Sequence, residues 1–190
     1  MIKIGIIGAP SSGKTTLARR LSSSFVGEVD NVELVAEYAR RYILKYGRIE
    51  SYWEQLKILN KQLNWENTYS SKTNILVTDC PIQLIWAYCL DLRDKFDFSK
   101  KENYILSDIF SIINKNNIPF RYDLLIRTNN NYNIIDDGIR HLTSVEPKWI
   151  YKINKYIDSS VLNFPSKKYM HINSSDLDQM ILDIKDQIEI

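Results

Sequence analysis

Apolar positions along the chain alternate between two kinds of pattern. Short apolar runs occur at 3–7, 32–36, 75–78, 122–127 and 168–172, and each predicts a strand. Four of the five are nearly continuous in apolar residues, as expected of strands covered on both faces. Between them the spacing turns helical. Leu17, Ala18 and Leu21 mark a helix over 15–24, and Trp53, Leu56, Leu59 and Leu63 recur at threes and fours. Leu177, Met180 or Ile181, Ile184 and Ile188 do the same near the end, and another helical pattern starts near Glu146. Strands separated by helices imply right-handed crossovers, so the pattern predicts an α/β fold of three layers around a five-stranded parallel sheet. No internal repeat and no Gly/Ser/Pro-rich linker divides residues 1–190, which predicts one domain. Two stretches read as irregular: 96–103, which is charged and punctuated, and 128–133, TNNNYN, which leads into Ile134, Ile135, Asp136, Asp137 and Gly138.

Composition narrows the class of partner. With 44% hydrophobic and 25% charged residues and a net charge of +2, the chain has no global field for nucleic acid or membranes. Cys80 and Cys89 form no C-x-x-C, and His141 and His171 stand apart from them, which argues against zinc and redox chemistry. Free thiols fit a reducing compartment. The first apolar run is broken by Gly5 and Gly8 instead of forming a secretory leader, and 82–90 is too short to span a bilayer. A cytoplasmic protein is expected, with self-association into a homo-oligomer left open.

Residues 8–16 read GAPSSGKTT. Gly8, Gly13, Lys14 and Thr15 match G-x-x-x-x-G-K-[ST], a loop whose backbone N–H groups turn inward around phosphates, and Ser11, Ser12 and Thr16 complete the cradle. A strand must precede the motif and a helix must come after it, and both are predicted. The expected fold is therefore a P-loop NTPase or kinase using ATP and Mg2+. Lys14 would reach the β- and γ-phosphates, and the Thr15 hydroxyl would ligate the metal.

Ligands of open parallel sheets bind beyond the carboxyl ends of the strands, so the residues just past each strand end are the candidates for chemistry. Glu37 comes after the second strand, with Arg40 one turn later. A carboxylate there could take a proton from an acceptor hydroxyl or bind a sugar, with Arg40 orienting it or holding an anion; it could also simply favour the helix dipole. Asp79 ends the third strand, where such proteins place an acid near the metal or acceptor, although an Asp before Pro81 could instead cap a helix. Arg140 lies after the fourth strand near Gly138. An arginine on a closing segment can neutralise charge in the transition state, whereas one in a surface turn does nothing.

Together, G-x-x-S-S-G-K-T-T at 8–16, E-Y-A-R-x-Y at 37–42, the strand ending in Asp79, and D-G-I-R at 137–140 resemble the ribosylnicotinamide kinase domain of NadR-type proteins, among the AAA-like NTPases and kinases of NAD metabolism. The resemblance keeps motif order across nearly the whole chain. It implies phosphorylation of a nucleoside 5′-hydroxyl by ATP and Mg2+. Lys14 and Thr15 would serve the phosphates and metal, Glu37 and Arg40 the acceptor, Asp79 the metal or acceptor, and Arg140 the lid. The sequence departs from the family in two ways. It begins at the kinase strand, so no adenylyltransferase activity is expected, and its third strand ends T-D-C-P where the family pattern has paired acids.

The leading expectation is a kinase for a small nucleoside-like acceptor, nicotinamide riboside first. One alternative is a regulatory NTPase that binds a partner. Another is a kinase for a nucleotide or a 5′ nucleic-acid end, which would need extra cations such as Arg40, Arg41 and Arg127. Tyr38, Tyr42, Trp53 and Trp86 could stack on a base or pack in the core.

Overall fold

The computed structural model describes residues 1–117, 120–129, 146–172 and 176–189. Within them the order is β1 (Ile2–Ile7), α1 (Lys14–Ser24), β2 (Val32–Val35), α2 (Tyr38–Tyr46), α3 (Tyr52–Ser70), β3 (Ile75–Thr78), α4 (Ile82–Lys95), α5 (Lys100–Asn116), β4 (Leu124–Thr128), α6 (Pro147–Asn163), β5 (Lys168–Ile172) and α7 (Leu177–Gln187). The strands form one parallel sheet in the order β2-β3-β1-β4-β5. All five predicted strands are present; β3 and β5 have the predicted ends, and those of β1, β2 and β4 move by one or two residues.

Successive residues of a strand face opposite sides of the sheet, and here both sides are dry. Ile4, Ile6, Leu124 and Ile126 pack with Leu17, Leu21, Ile181 and Ile184 of α1 and α7. Ile7 and Leu125 pack on the other side with Ile58, Leu59, Ile85, Ile109 and Ile153 of α3 to α6. This double burial explains the unbroken apolar runs. At the sheet edges, β2 and β5 are partly exposed.

Two expectations from the sequence change, and one alternative is removed. Residues 96–103 are not irregular throughout, because α5 begins at Lys100, where Ser99 caps the helix by accepting from the Glu102 N–H. Trp53 is half exposed, since the buried face of α3 is carried by Tyr52, Gln55, Ile58, Leu59, Gln62, Leu63 and Glu66. Asp79 is not a helix cap: Pro81 occupies the cap position of α4, and no side chain caps that helix. Arg140, His141 and residues 130–138 lie outside the described residues. No described helix is long and apolar enough to cross a membrane.

Candidate active site

The phosphate loop begins where β1 ends. Ser11 and Gly13 both take left-handed backbone, φ 60° and 81°, a handedness that aims successive N–H groups into one concavity. Gly13 also stands at the N-cap of α1, so the positive end of that helix faces the same space. A side chain at Gly8 would collide with the hydroxyls of Ser12 and Thr128. Those two hydroxyls are buried and lie 2.6 Å apart, tying the loop to the end of β4. Lys14 is almost wholly buried at the start of α1, and its Nζ donates to the Ala9 carbonyl at 2.8 Å, so its charge lies across the loop.

Strand pairing delivers the acids to the same edge. Val35 of β2 is in register with Thr78 of β3, and Thr78 is in register with Gly5 of β1, so Glu37, Asp79 and the loop all come after paired positions. The Thr15 hydroxyl donates to Asp79 Oδ2 at 2.6 Å. Asp79 Oδ1 is buried and has no hydrogen-bond partner among the described residues. Burial, and then the neighbouring Glu37 carboxylate, push the Asp79 carboxyl up to about 6, while the Thr15 hydrogen bond, Lys14 and Arg40 pull the other way. Glu37 is buried at the N-cap of α2 without capping it, and its Oε2 lies 3.9 Å from Arg40 Nε. The structure thus brings together Lys14, Thr15, Glu37, Arg40 and Asp79 beside the Gly8–Gly13 loop.

Other candidates fall elsewhere. Arg127 points to α6, where its Nη2 meets Asn154 at 2.6 Å and Asp158 at 3.3 Å, and Arg41 stacks over the Trp65 ring. Trp86 packs against Phe110 and Phe164 in the core, and the Tyr42 hydroxyl donates to Glu54. Tyr38 meets Trp65 edge-on. Cys80 and Cys89 are buried free thiols, and burial pushes both upward in pKa. Among the described residues no cluster of His, Cys, Asp or Glu forms a metal site of three or more such ligands. A site holding its metal through one hydroxyl, one carboxylate and phosphates needs no such cluster.

Sequence reading missed Thr128 and a polar layer beneath the acids. Glu66, fully buried, accepts from Arg121 Nε at 2.8 Å and from the Tyr122 hydroxyl at 3.1 Å, and the Tyr122 oxygen accepts the Ile82 N–H. A signal for it was present. Gln55, Gln62 and Glu66 sit at helical spacing among the apolar positions of α3, and a polar residue on a buried face is the informative departure.

Residues 3–157 match the model of a family described as an AAA domain, which takes in the loop, both acids and β1 to β4. The chain belongs to this AAA-domain family. No curated protein sequence matches it. Among solved structures, the NadR protein in complex with NR superposes on all of this AAA-domain chain with a TM-score of 0.75 at 18% identity. The chain spans 52% of that structure's length. Thymidylate kinase from Ehrlichia chaffeensis gives 0.63 at 16% identity, over 98% of both chains. Deoxyadenosine kinase from M. mycoides with bound dCTP gives 0.62 at 11%, over 99% of both. The AAA-domain protein thus has the three-layer P-loop fold that these kinases share.

Proposed function

We propose that this protein transfers the γ-phosphoryl group of ATP to the 5′-hydroxyl of a small nucleoside-like acceptor, with nicotinamide riboside the leading candidate. The observation that carries the reading is the hydrogen bond from the Thr15 hydroxyl to the buried Asp79 carboxylate with Glu37 beside it, against the phosphate loop. A loop for phosphates together with a second, separate carboxylate suits two substrates. A hydrolytic switch needs only a group that positions water.

The residues present fit ATP with Mg2+: the glycine cradle at Gly8 leaves room only for backbone, and Asp79 offers an unpartnered oxygen beside the Thr15 hydroxyl. Bound there, the ion would neutralise phosphate charge as it develops. The loop N–H groups and Lys14 hold the phosphates. Glu37 accepts the proton of the acceptor hydroxyl as its oxygen bonds to the γ-phosphorus and the bond to the β,γ-bridging oxygen breaks, releasing ADP. Arg40 orients Glu37. Arg140 supplies a guanidinium to the transferring group. A nucleoside sits better here than an acceptor carrying its own phosphate, because Arg127 points to α6 and Arg41 lies over the Trp65 ring, which leaves Arg40 as the cation beside Glu37. ATP supply and two free thiols suit the cytoplasm.

The test is incubation with ATP, Mg2+ and a panel of nucleosides, nucleotides and 5′-hydroxyl oligonucleotides, with the product identified by mass. Lys14→Ala should cut turnover by roughly a thousandfold while the fold survives, and Glu37→Gln should stop transfer but keep ATP binding. Equal ATP hydrolysis by wild type and Glu37→Gln, with no panel member phosphorylated, would leave the regulatory NTPase in its place.

A further inference from the structure

Gln62 is a fully buried side chain that the phosphate chemistry leaves unused. Its Oε1 accepts the Tyr38 N–H at 3.1 Å, and its Nε2 donates to Thr78 Oγ1 at 3.2 Å. Tyr38 is the residue after Glu37, and Thr78 the residue before Asp79. One planar amide therefore spans the two backbone segments that carry the two carboxylates.

The direction of each bond is forced. Glu66 accepts from the Arg121 guanidinium and the Tyr122 hydroxyl, and the Thr78 hydroxyl likewise donates to Glu66 Oε1 at 3.3 Å. The Thr78 oxygen must then accept from Gln62 Nε2, which turns Gln62 Oε1 toward a backbone N–H that can only donate. Arg121 and Tyr122 lead into β4, and the Tyr122 oxygen in turn accepts the Ile82 N–H at the start of α4. The whole layer is buried. Each such bond adds little net stability, but it fixes distance and direction where apolar contact does not.

We propose that Gln62 is a positioning residue for phosphoryl transfer, setting the separation of Glu37 and Asp79 and so the place where an acceptor hydroxyl meets both its base and the γ-phosphoryl group. The proposal rests on the kinase reading above. A misplacement of about 1 Å between reacting groups costs on the order of a hundredfold in rate.

The experiment compares wild type, Gln62→Met, Thr78→Val and the double variant in steady-state kinetics with ATP and the phosphorylated panel member, and in thermal unfolding. Methionine matches the length of glutamine without either hydrogen bond, and valine matches the shape of threonine without the hydroxyl. Gln62→Met should lower kcat/KM for the acceptor about 30- to 100-fold while KM for ATP stays within about twofold. Thr78→Val, cutting the same link from the other end, should do likewise, and the double variant should be little worse than either single one. If Gln62→Met fails to fold, Thr78→Val alone carries the split between substrates. A lowered melting temperature with acceptor kinetics unchanged, or losses that multiply in the double variant, makes Gln62 structural only and overturns the proposal. A wild type that phosphorylates no panel member removes the kinase reading first, and the positioning role with it.

Discussion

Asp79→Asn should make the protein more stable and far less active, and the size of the gain comes from the site itself. The Asp79 carboxyl is 3% exposed, one of its oxygens has no partner among the described residues, and the other is held by Thr15. Its folded pKa of about 6, against 3.8 for the free group, already sums burial and Glu37 on one side with Thr15, Lys14 and Arg40 on the other. Two units at 1.36 kcal/mol each make the ionised form cost the fold about 3 kcal/mol. The sign is set by proton binding: between pH 3.8 and 6 the folded state holds the proton more tightly, so stability falls as pH rises through that window. The penalty is complete above about pH 6 and gone below the unfolded value. Asparagine carries no charge, can still accept from Thr15, and exchanges one unpartnered acceptor for one unpartnered donor. In a chain of this size ~3 kcal/mol corresponds to about 6–12 °C in melting temperature. The assay is thermal unfolding of both proteins in EDTA, so that no divalent cation reaches the carboxylate, at pH 7.5 and again below pH 4. Asparagine should melt higher at pH 7.5, the gap should close in acid, and turnover should fall at least about a hundredfold. A variant no more stable than wild type at pH 7.5, or a gap that persists in acid, would refute the reasoning.

Gly8→Ala drives a methyl group into the Ser12–Thr128 hydroxyl pair; it should destabilise by about 1–3 kcal/mol in urea unfolding and abolish ATP binding by calorimetry. Glu66→Gln strands the buried Arg121 guanidinium and should cost about 3–5 kcal/mol at neutral pH, far more than an exposed pair such as Arg20–Asp178, whose loss should cost about 1 kcal/mol or less. Arg140→Ala should lower turnover while the ATP dissociation constant barely moves, with Arg140→Lys a partial rescue, because the contact belongs to the transition state and needs the planar fork. A large rise in the ATP dissociation constant at unchanged turnover would make Arg140 a ground-state clamp instead.

The phosphate loop was legible in sequence because its chemistry is local: glycines at fixed offsets, a lysine and a threonine act within one turn of chain. The strands were legible for a similar reason, since burial on both faces leaves mostly apolar residues in Ile2–Ile7 and Ile75–Thr78, with Lys3 and Thr78 the polar exceptions. The end of the third strand showed an acid but not its partner. Asp79 had a helix cap as its alternative role, and the pairing of β1 with β3, which carries residue 79 to residue 15, decided for Thr15. The helical phase of α3 was misjudged at Trp53 because apolar spacing alone does not say which stripe faces inward when that stripe also carries Gln62 and Glu66. Those two side chains mean little until Thr78, Tyr122 and Arg121 arrive from up to 56 positions away to satisfy them. Phosphate chemistry and a parallel sheet could be read from the chain alone, because both are written in neighbouring residues. The spacing of the acids and the buried layer beneath them came only with the folded arrangement, because hydrogen bonds between distant segments leave no periodicity in the chain.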